Sequence, residues 1–163
     1  MIFTPEHVQM IVEGRKTQTR RLVKPGEYTW MSIPGAVTGK PPNLSYSEVC
    51  RENGSVRFAV GKTYAVQPGR GKPAVARIRI TDIRRERLRN ISPLDCALEG
   101  IAIQDPMDQF EGDVGIPYFV EVDRLLLTGY RDVWDRINKR KGTRWQDNPL
   151  VWALTFELVK EMP

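Results

Sequence analysis

The sequence predicts an α+β fold in which a small mixed or closed β-sheet carries about three short helices. Apolar and charged residues alternate over residues 74–83, as in a half-buried strand, and residues 150–159 form a continuous apolar run, as in a central strand. Two N-cap signals, Thr4-Pro5 and Ser92-Pro93, mark the beginnings of helices outside these strands. The 163 residues match the size of one ordinary domain, so a single domain over residues 1–163 is expected.

The first helix is predicted to begin at Pro5, with Thr4 as its N-cap and Gly14 as its left-handed stop. Phe3 and Val8 occupy the two positions of a hydrophobic staple. The apolar stripe of this helix consists of Val8, Ile11 and Val12. Threonines alternate with other residues after Gly14, which favours an extended segment there.

Residues 25–58 are rich in proline and glycine, and they are predicted to form a long loop, either a lid over a site or a mobile insertion. Two strands are predicted next, over residues 63–68 and 74–83, with a glycine-rich turn between them. In the second strand the core face consists of Ala76, Ile78 and Ile80, and the opposite face carries Arg77 and Arg79.

The second helix is predicted to begin after Ser92 and to end at Gly100, with Asp95 in a capping-box position. Its core side is expected to consist of Leu94, Ala97 and Leu98. A further strand is expected over residues 117–127, and a third helix over residues 130–141. The apolar stripe of that helix consists of Tyr130, Val133, Trp134 and Ile137.

The net charge of +5 is concentrated in one segment. Residues 15–24 hold five lysines and arginines and no acid, and a second, diluted basic stretch covers residues 77–89. Residues 104–123, predicted to be another loop insertion, hold six acids and no lysine or arginine. This asymmetry favours a positive surface for an anionic partner, most commonly nucleic acid, although scattered arginines are more often simply solvated.

Several classes of protein are disfavoured by the composition. Cys50 and Cys96 lack C-x-x-C spacing and His7 is the single histidine, so neither a metal site nor a cofactor is expected. No apolar stretch approaches 18 residues, and the first residues lack the features of a signal peptide, so a cytoplasmic protein without a membrane partner is expected. The VGKT sequence at residues 60–63 lacks the first glycine of a phosphate-binding loop.

The basic run at residues 14–21, GRKTQTRR, is the first candidate for a functional site. Like-charge repulsion from the neighbouring arginines is expected to lower the pKa of Lys16 toward the range of a general base. Thr19 lies three residues away, close enough for its hydroxyl to share a hydrogen bond with the amine and to act as a nucleophile. Plain nucleic-acid binders also carry such basic patches with threonines.

Glu99 is the second candidate. It is expected in the last turn of a helix, immediately before Gly100, where the helix dipole disfavours a carboxylate. A carboxylate placed against local preference indicates either a raised pKa, a specific cationic partner or an ordinary surface position. His7, in the first turn of a helix, is expected to have a surface or capping role.

Together these motifs resemble the ASCH domain family, particularly its longer bacterial and phage-type members. The family pattern G-x-K-x-x-T-x-R is complete here as Gly14, Lys16, Thr19 and Arg21, and Glu99 stands where the family carries a helical glutamate. The later pattern W-x-x-NP-x-VW is present as Trp145, Asn148, Pro149, Val151 and Trp152. The resemblance implies a PUA-like small β-barrel. This sequence departs from the family at Lys62, which replaces the usual acid, and in the segments 25–58 and 104–123.

Short members of that family are amidohydrolases acting on N4-acetylcytidine, so the resemblance implies the same reaction, with Lys16, Thr19 and Glu99 as the catalytic set. The expected substrate-binding residues are Gly14, Arg20, Arg21, Arg77 and Arg79. The expected partner is a modified nucleoside or single-stranded RNA, bound by a monomer. A non-catalytic RNA-binding module and a ribonuclease are the alternatives.

Overall fold

The computed structural model describes residues 1–30, 46–103 and 118–159. Its helices within these ranges are α1 (Pro5–Val12), α2 (Pro93–Leu98) and α3 (Tyr118–Ile137). Its strands there are β1 (Gln18–Leu22), β2 (Tyr28–Trp30), β3 (Glu48–Cys50), β4 (Val56–Ala59), β5 (Thr63–Val66), β6 (Ala76–Arg87) and β7 (Leu150–Val159). The α+β class is therefore confirmed.

The strands form two antiparallel sheets. The larger has the order β1-β7-β6-β5 and the smaller the order β2-β3-β4. The prediction that residues 150–159 form a central strand is confirmed, because β7 lies between β1 and β6. No closed barrel is formed by the strands of the described ranges, so the expected barrel is replaced there by two open sheets.

The predicted alternation in β6 is confirmed and then interrupted by a bulge. Ile78 and Ile80 are fully buried, whereas Arg77 and Arg79 are exposed. The register with β7 shifts between Ile80 and Asp82, which inserts one residue into the pairing. Because side chains alternate along a strand, this insertion returns Ile83 to the buried face.

The N-terminal caps of both short helices agree with the sequence. Thr4 accepts a hydrogen bond from the His7 amide at 3.3 Å, and Ser92 accepts one from the Asp95 amide at 3.1 Å. Their predicted core faces are partly wrong. Leu94 of α2 is 69% exposed and Val12 of α1 is 49% exposed, whereas the buried residues are Asp95 and Cys96 in α2 and Val8 and Ile11 in α1.

The prediction of a structureless loop over residues 25–58 is wrong for the residues that the structure describes. Strands β2, β3 and β4 lie in or across this segment and pair with one another, while residues 31–45 are outside the described ranges. Strands of three or four residues are too short to show an alternating pattern from which the sequence could predict them. They are fixed by long-range packing, with Val49 and Phe58 buried in one cluster with Trp152.

The strand predicted over residues 117–127 is wrong, because residues 118–127 form the first half of α3. This helix covers 20 residues, longer than the short helix predicted over residues 130–141. Leu126, Tyr130 and Trp134 are buried at a spacing of four residues, so tertiary contact of one helical face overrides the local β-propensity. Residues 118–123 of the expected acidic insertion are thus helical, and residues 104–117 lie outside the described ranges.

Of the helices in the described ranges, none combines the length and the apolar character needed to cross a membrane.

The contrasting burial of two leucines tests the placement of α2. Leu94→Ala is expected to change the free energy of unfolding by less than about 0.5 kcal/mol, because the side chain is mostly in solvent. Leu88→Ala, at a fully buried position, is the matched control and is expected to cost about 2–5 kcal/mol. Urea denaturation measures both, and equal losses would contradict the orientation of α2.

Candidate active site

A cavity of about 260 Å³ lies beside β1, which is an edge strand of the larger sheet. Its polar lining consists of His7, Lys16, Thr19, Arg20, Arg21, Lys24, Arg57, Glu99 and Asn138. Its apolar lining comes mainly from α3 and consists of Leu22, Ile101, Tyr130, Val133, Trp134 and Ile137. The cavity therefore brings the end of α2, one face of α3 and the basic run together.

Two glycines direct Lys16 and Glu99 into this cavity. Gly14 has a φ of 75°, which ends α1, and the amides of Arg15 and Lys16 both donate to the Met10 carbonyl, at 2.9 and 3.0 Å. Gly100 has a φ of 96°, and a Cβ there would stand 2.7 Å from the Met10 sulfur. The two chain reversals pack closely together, and each needs a left-handed glycine.

The Lys16 ammonium is buried against Glu99, with 1% of the residue exposed. Nζ donates to Glu99 Oε2 and to the Glu99 main-chain oxygen, both at 2.6 Å. Burial lowers the pKa of Lys16 from its ordinary value, and the Glu99 charge only partly opposes this change. The lowered pKa was expected from the sequence, but its main cause is burial and not repulsion by arginines.

The two bonds to Glu99 leave one position on Lys16 Nζ unused. That position carries a proton in the ammonium form and a lone pair in the amine form. Because both bonds to Glu99 remain possible in the amine form, the lysine can lose its third proton without leaving its place. Lys16 can therefore act as a base while its two hydrogen bonds to Glu99 keep the amine in position.

Arg20 is the centre of a buried charge network. None of its side chain is exposed, and it donates to Glu99 Oε1 at 3.2 Å, to Asp95 Oδ2 at 2.8 Å and to Glu86 Oε1 at 2.7–2.8 Å. It was expected to bind substrate, but in the structure its donors are used by these carboxylates and by Gln18. Arg20 therefore holds Glu99 from the side opposite Lys16.

Asp95 belongs to this network and does not complete a capping box. Its carboxylate accepts from Gln18 at 3.0 Å, from Arg20 at 2.8 Å and from Arg84 at 3.2 Å. Burial alone would raise the pKa of Asp95, but the two guanidinium groups hold it below its ordinary value. The network thus ties α2 to both β1 and β6 through charged side chains.

Thr19 and Arg21 also reach the cavity. Thr19 is 4% exposed, and Lys16 Nζ bonds to Glu99 and not to the Thr19 hydroxyl, so the shared bond expected between Thr19 and Lys16 is absent. Arg21 donates to the Ile2 carbonyl at 2.9 Å and lies over the Phe3 ring at 4.8 Å. Both residues stay available for contact with a ligand.

Three of the residues expected to bind substrate do not line this cavity. Gly14 is exposed at the end of α1, where its role is the chain reversal. Arg77 and Arg79 project from the exposed face of β6, and Arg79 pairs with Glu157 at 3.0 Å. Lys16, Thr19, Arg20, Arg21 and Glu99 are the predicted site residues that the fold brings together.

Sequence reasoning missed several residues of the cavity. His7 was expected on the surface or at a cap, but it is half-buried and lines the cavity. Tyr130 and Trp134 were expected only as core residues, although their spacing on one face of a helix identified the wall that they form. Arg57 carried no local signal, because it reaches the cavity from the smaller sheet.

Within the described ranges, no group of three or more histidine, cysteine or acidic side chains could hold a metal ion.

Comparisons with known proteins give distant likenesses to solved structures. No protein-family model and no curated protein sequence matches the chain. Among solved structures it resembles an ASCH domain from Lactobacillus crispatus JV V101, with 19% identity and a TM-score of 0.47, over 94% of this chain and 70% of that one. It also resembles a protein from Enterococcus faecalis V583 assigned to family DUF984, with 14% identity and a TM-score of 0.49, over 96% of this chain and 68% of that one.

The ASCH domain, which the sequence motifs indicated, is thus among the solved structures that this chain resembles. The likeness is too distant to transfer an activity, so the function has to be inferred from the cavity.

His7 should make the stability of the protein depend on pH. Burial, and next the Lys16 charge, lower the pKa of His7 to about 4, whereas in the unfolded chain it is near 6.5. Between these values the unfolded chain binds more protons, so lowering the pH from 6.5 to 4 should lower the free energy of unfolding, by about 1–2 kcal/mol after allowance for solvent screening. The difference between the wild type and His7→Gln, measured by urea denaturation, isolates this contribution, and parallel pH curves would contradict it.

The buried pair should show strong coupling. Lys16→Met leaves the Glu99 charge with Arg20 alone and should lower the free energy of unfolding by about 3 kcal/mol. Adding Glu99→Gln should cost less than it does in the wild type, by at least about 1 kcal/mol. The half-exposed pair Arg79–Glu157, changed in the same way, is the matched control and should couple by less than about 1 kcal/mol. Additive losses at Lys16 and Glu99 would show that the pair is not energetically linked.

Proposed function

We propose that this chain hydrolyses the amide bond of an N4-acylated cytidine-type nucleoside or modified RNA base. The observation that carries the proposal is the Lys16–Glu99 pair, joined at 2.6 Å on the wall of a cavity that Thr19 also lines. A lysine with a lowered pKa and a threonine hydroxyl that line the same cavity suit general-base and nucleophilic catalysis of acyl transfer. Lys16 and Thr19 are the reacting groups, and no metal takes part.

In the first step the Lys16 amine accepts a proton from the Thr19 hydroxyl or from a water molecule that this hydroxyl orients. The oxygen that loses the proton forms a bond to the acyl carbon, and the electron pair of the carbonyl moves to its oxygen. The carbon–nitrogen bond then breaks, and the Lys16 ammonium returns the proton to the departing N4 amine. If Thr19 is the nucleophile, water cleaves the resulting ester, so the products are the same carboxylic acid and cytidine in either case.

Glu99 acts through Lys16. Its Oε2 accepts from Lys16 and its Oε1 from Arg20, so both oxygens are engaged before a substrate enters. A carboxylate held in this way fixes the direction of the lysine, which is worth more to catalysis than a mobile carboxylate at the same distance. Glu99 is therefore a positioning residue, and Arg20 positions Glu99.

The opposite wall of the cavity suits the remainder of the substrate. Tyr130, Val133, Trp134 and Ile137 present aromatic and apolar surface from α3 to the same space. Binding sites for small molecules combine such surface with a few polar groups that converge on one point. The planar base and the acyl group would contact this wall, and Arg21 would contact the base carbonyl or a phosphate.

A non-catalytic RNA-binding module is the second candidate. Arg77, Arg87 and Arg89 are exposed, and they lie on or just after β6, where they can follow a phosphate backbone. Two neighbouring arginines are less available, because Arg84 pairs with Asp95 and Arg85 lies over the Trp152 ring. This candidate requires RNA affinity that falls steeply with salt and survives the loss of Glu99.

Hydrolysis of N4-acetylcytidine tests the first candidate. Lys16→Met and Thr19→Val should each lower kcat/KM for cytidine release by at least about a hundredfold, because each removes a group that moves a proton or a bond. Because Thr19→Val is nearly isosteric, the variant should keep the native fold. Circular dichroism checks that it is folded. Cytidine release is followed by chromatography.

Lys62→Met is the matched control for the lysine variant, since Lys62 is exposed and lies between β4 and β5, away from the cavity. It should leave kcat/KM unchanged. Undiminished release in Lys16→Met would overturn the assigned roles. The absence of release from every N4-acylated cytidine, free or in RNA, would overturn the reaction and leave the binding module.

A further inference from the structure

The cavity carries an excess of positive charge that amide hydrolysis does not require. Among the described residues, its lining contains Lys16, Arg20, Arg21, Lys24 and Arg57 but a single carboxylate, that of Glu99. An acylated cytidine base is uncharged, so it gives no reason for so many cations. The distribution of their partners shows where the excess lies.

The inner cations are already neutralised. Lys16 pairs with Glu99, and Arg20 pairs with Glu86, Asp95 and Glu99. The outer cationic end of the cavity, defined by Arg21, Lys24 and Arg57, is different. Within the described ranges, Arg21 and Lys24 have no carboxylate partner within salt-bridge distance, and Lys24 has no side-chain hydrogen bond. Arg57 pairs with Glu27, so the cations of the lining without a carboxylate partner among the described residues are Arg21 and Lys24, both at this end.

Arg57 is held firmly at this end. Its Nη1 donates to Glu27 Oε1 at 2.6 Å, to Glu27 Oε2 at 2.8 Å and to the Leu22 carbonyl at 3.1 Å. Its guanidinium also lies over the Phe58 ring at 4.6 Å. Glu27 in turn accepts from the buried Trp152 indole at 2.9 Å. All these bonds use Nη1, and within the described ranges Nη2 and Nε donate to no other group.

Strand β1 sets the distance between Thr19 and the outer cationic end of the cavity. The Arg57 guanidinium contacts the carbonyl of Leu22, which is three residues after Thr19 in an extended strand. At the rise of a β-strand this places the Arg57 guanidinium about 10 Å from Thr19 along β1. That separation corresponds to the length of a nucleoside from its acylated N4 to a phosphate on its 5′ oxygen.

We infer that the outer cationic end binds the phosphate of the substrate, so that the preferred substrate is an N4-acylated cytidine 5′-monophosphate and not the free nucleoside. The inference rests on the proposed function for the acylated base, whereas the phosphate contact can be measured without any reaction. Arginine recognises phosphate by two parallel hydrogen bonds, and lysine adds a point charge. A cavity of about 260 Å³ favours a single nucleotide over a folded or double-stranded RNA.

Calorimetric titration of the full chain with cytidine 5′-monophosphate and with cytidine separates binding from hydrolysis. The nucleotide should bind about tenfold more tightly or better, and its advantage should shrink as salt is raised. Lys24→Gln and Arg21→Gln should each lower the ratio of the two affinities severalfold. Lys62→Gln, an exposed lysine outside the cavity, is the matched control and should leave the ratio unchanged. Lys24 is exposed, and within the described ranges its side chain makes no hydrogen bond or ion pair, so its replacement does not endanger folding.

A third titration, with a short oligocytidylate that lacks a terminal phosphate, separates the two sources of phosphate. Tighter binding of this oligonucleotide than of the mononucleotide would overturn the inference in favour of an RNA backbone. Equal affinities for cytidine and its monophosphate would also overturn it, even if N4-acetylcytidine is cleaved. A clear preference for the monophosphate, lost in Lys24→Gln, would support it even if no acylated cytidine is cleaved, in which case only the proposed reaction fails.

Discussion

The buried charge network around Glu99 is the constraint on which the rest of this structure depends. Removing a lysine, an arginine and three carboxylates from water costs several kcal/mol for each ion, and only mutual pairing with good geometry repays it. Lys16 and Arg20 supply the cations, Glu86, Asp95 and Glu99 the anions, and no buried side-chain nitrogen or oxygen in the described ranges lacks a partner. Because Arg20 lies in β1, Glu86 in β6 and Asp95 in α2, their ion pairs fix the orientation of the helix on the sheet. The ion pairs that neutralise the buried charges thus also hold the residues of the cavity wall in place.

Local sequence patterns predicted the parts of the fold that local physics determines. Thr4 and Ser92 cap their helices as expected, and the alternation in β6 and the apolar run of β7 gave strands in the right places. The failures share one cause. The first half of α3 has the composition of a strand, and β2, β3 and β4 are too short to show a period, so distant contacts decide both. The prediction that Leu94 faces the core is wrong for the same reason. The residues of α2 that face the interior are Asp95 and Cys96.

Two residues of the candidate site were predictable from the sequence, because each has a charge that its sequence neighbours or its helix position disfavours. Lys16 stood in a run of like charges, and Glu99 stood at the unfavourable end of a helix, and the fold joins these two residues. Local patterns could not reveal that burial dominates the pKa of Lys16, or that Arg20 binds Glu99 and not a ligand, because both depend on tertiary packing. Arg57 and the wall of α3 were unpredictable as site residues, because they reach the cavity through tertiary contacts across more than thirty residues of chain.

The cavity lies beside an edge of the larger sheet, where a strand of another protein chain could pair with β1. β1 has one strand partner, β7, and its other edge has no strand against it in the larger sheet. Bare edges invite pairing with a second chain, and natural proteins protect them with charged side chains and covering segments. Here Arg57 donates to the outward carbonyl of Leu22. The Arg57 side chain therefore both lines the cavity and occupies a carbonyl at which a strand of another chain could pair with the sheet.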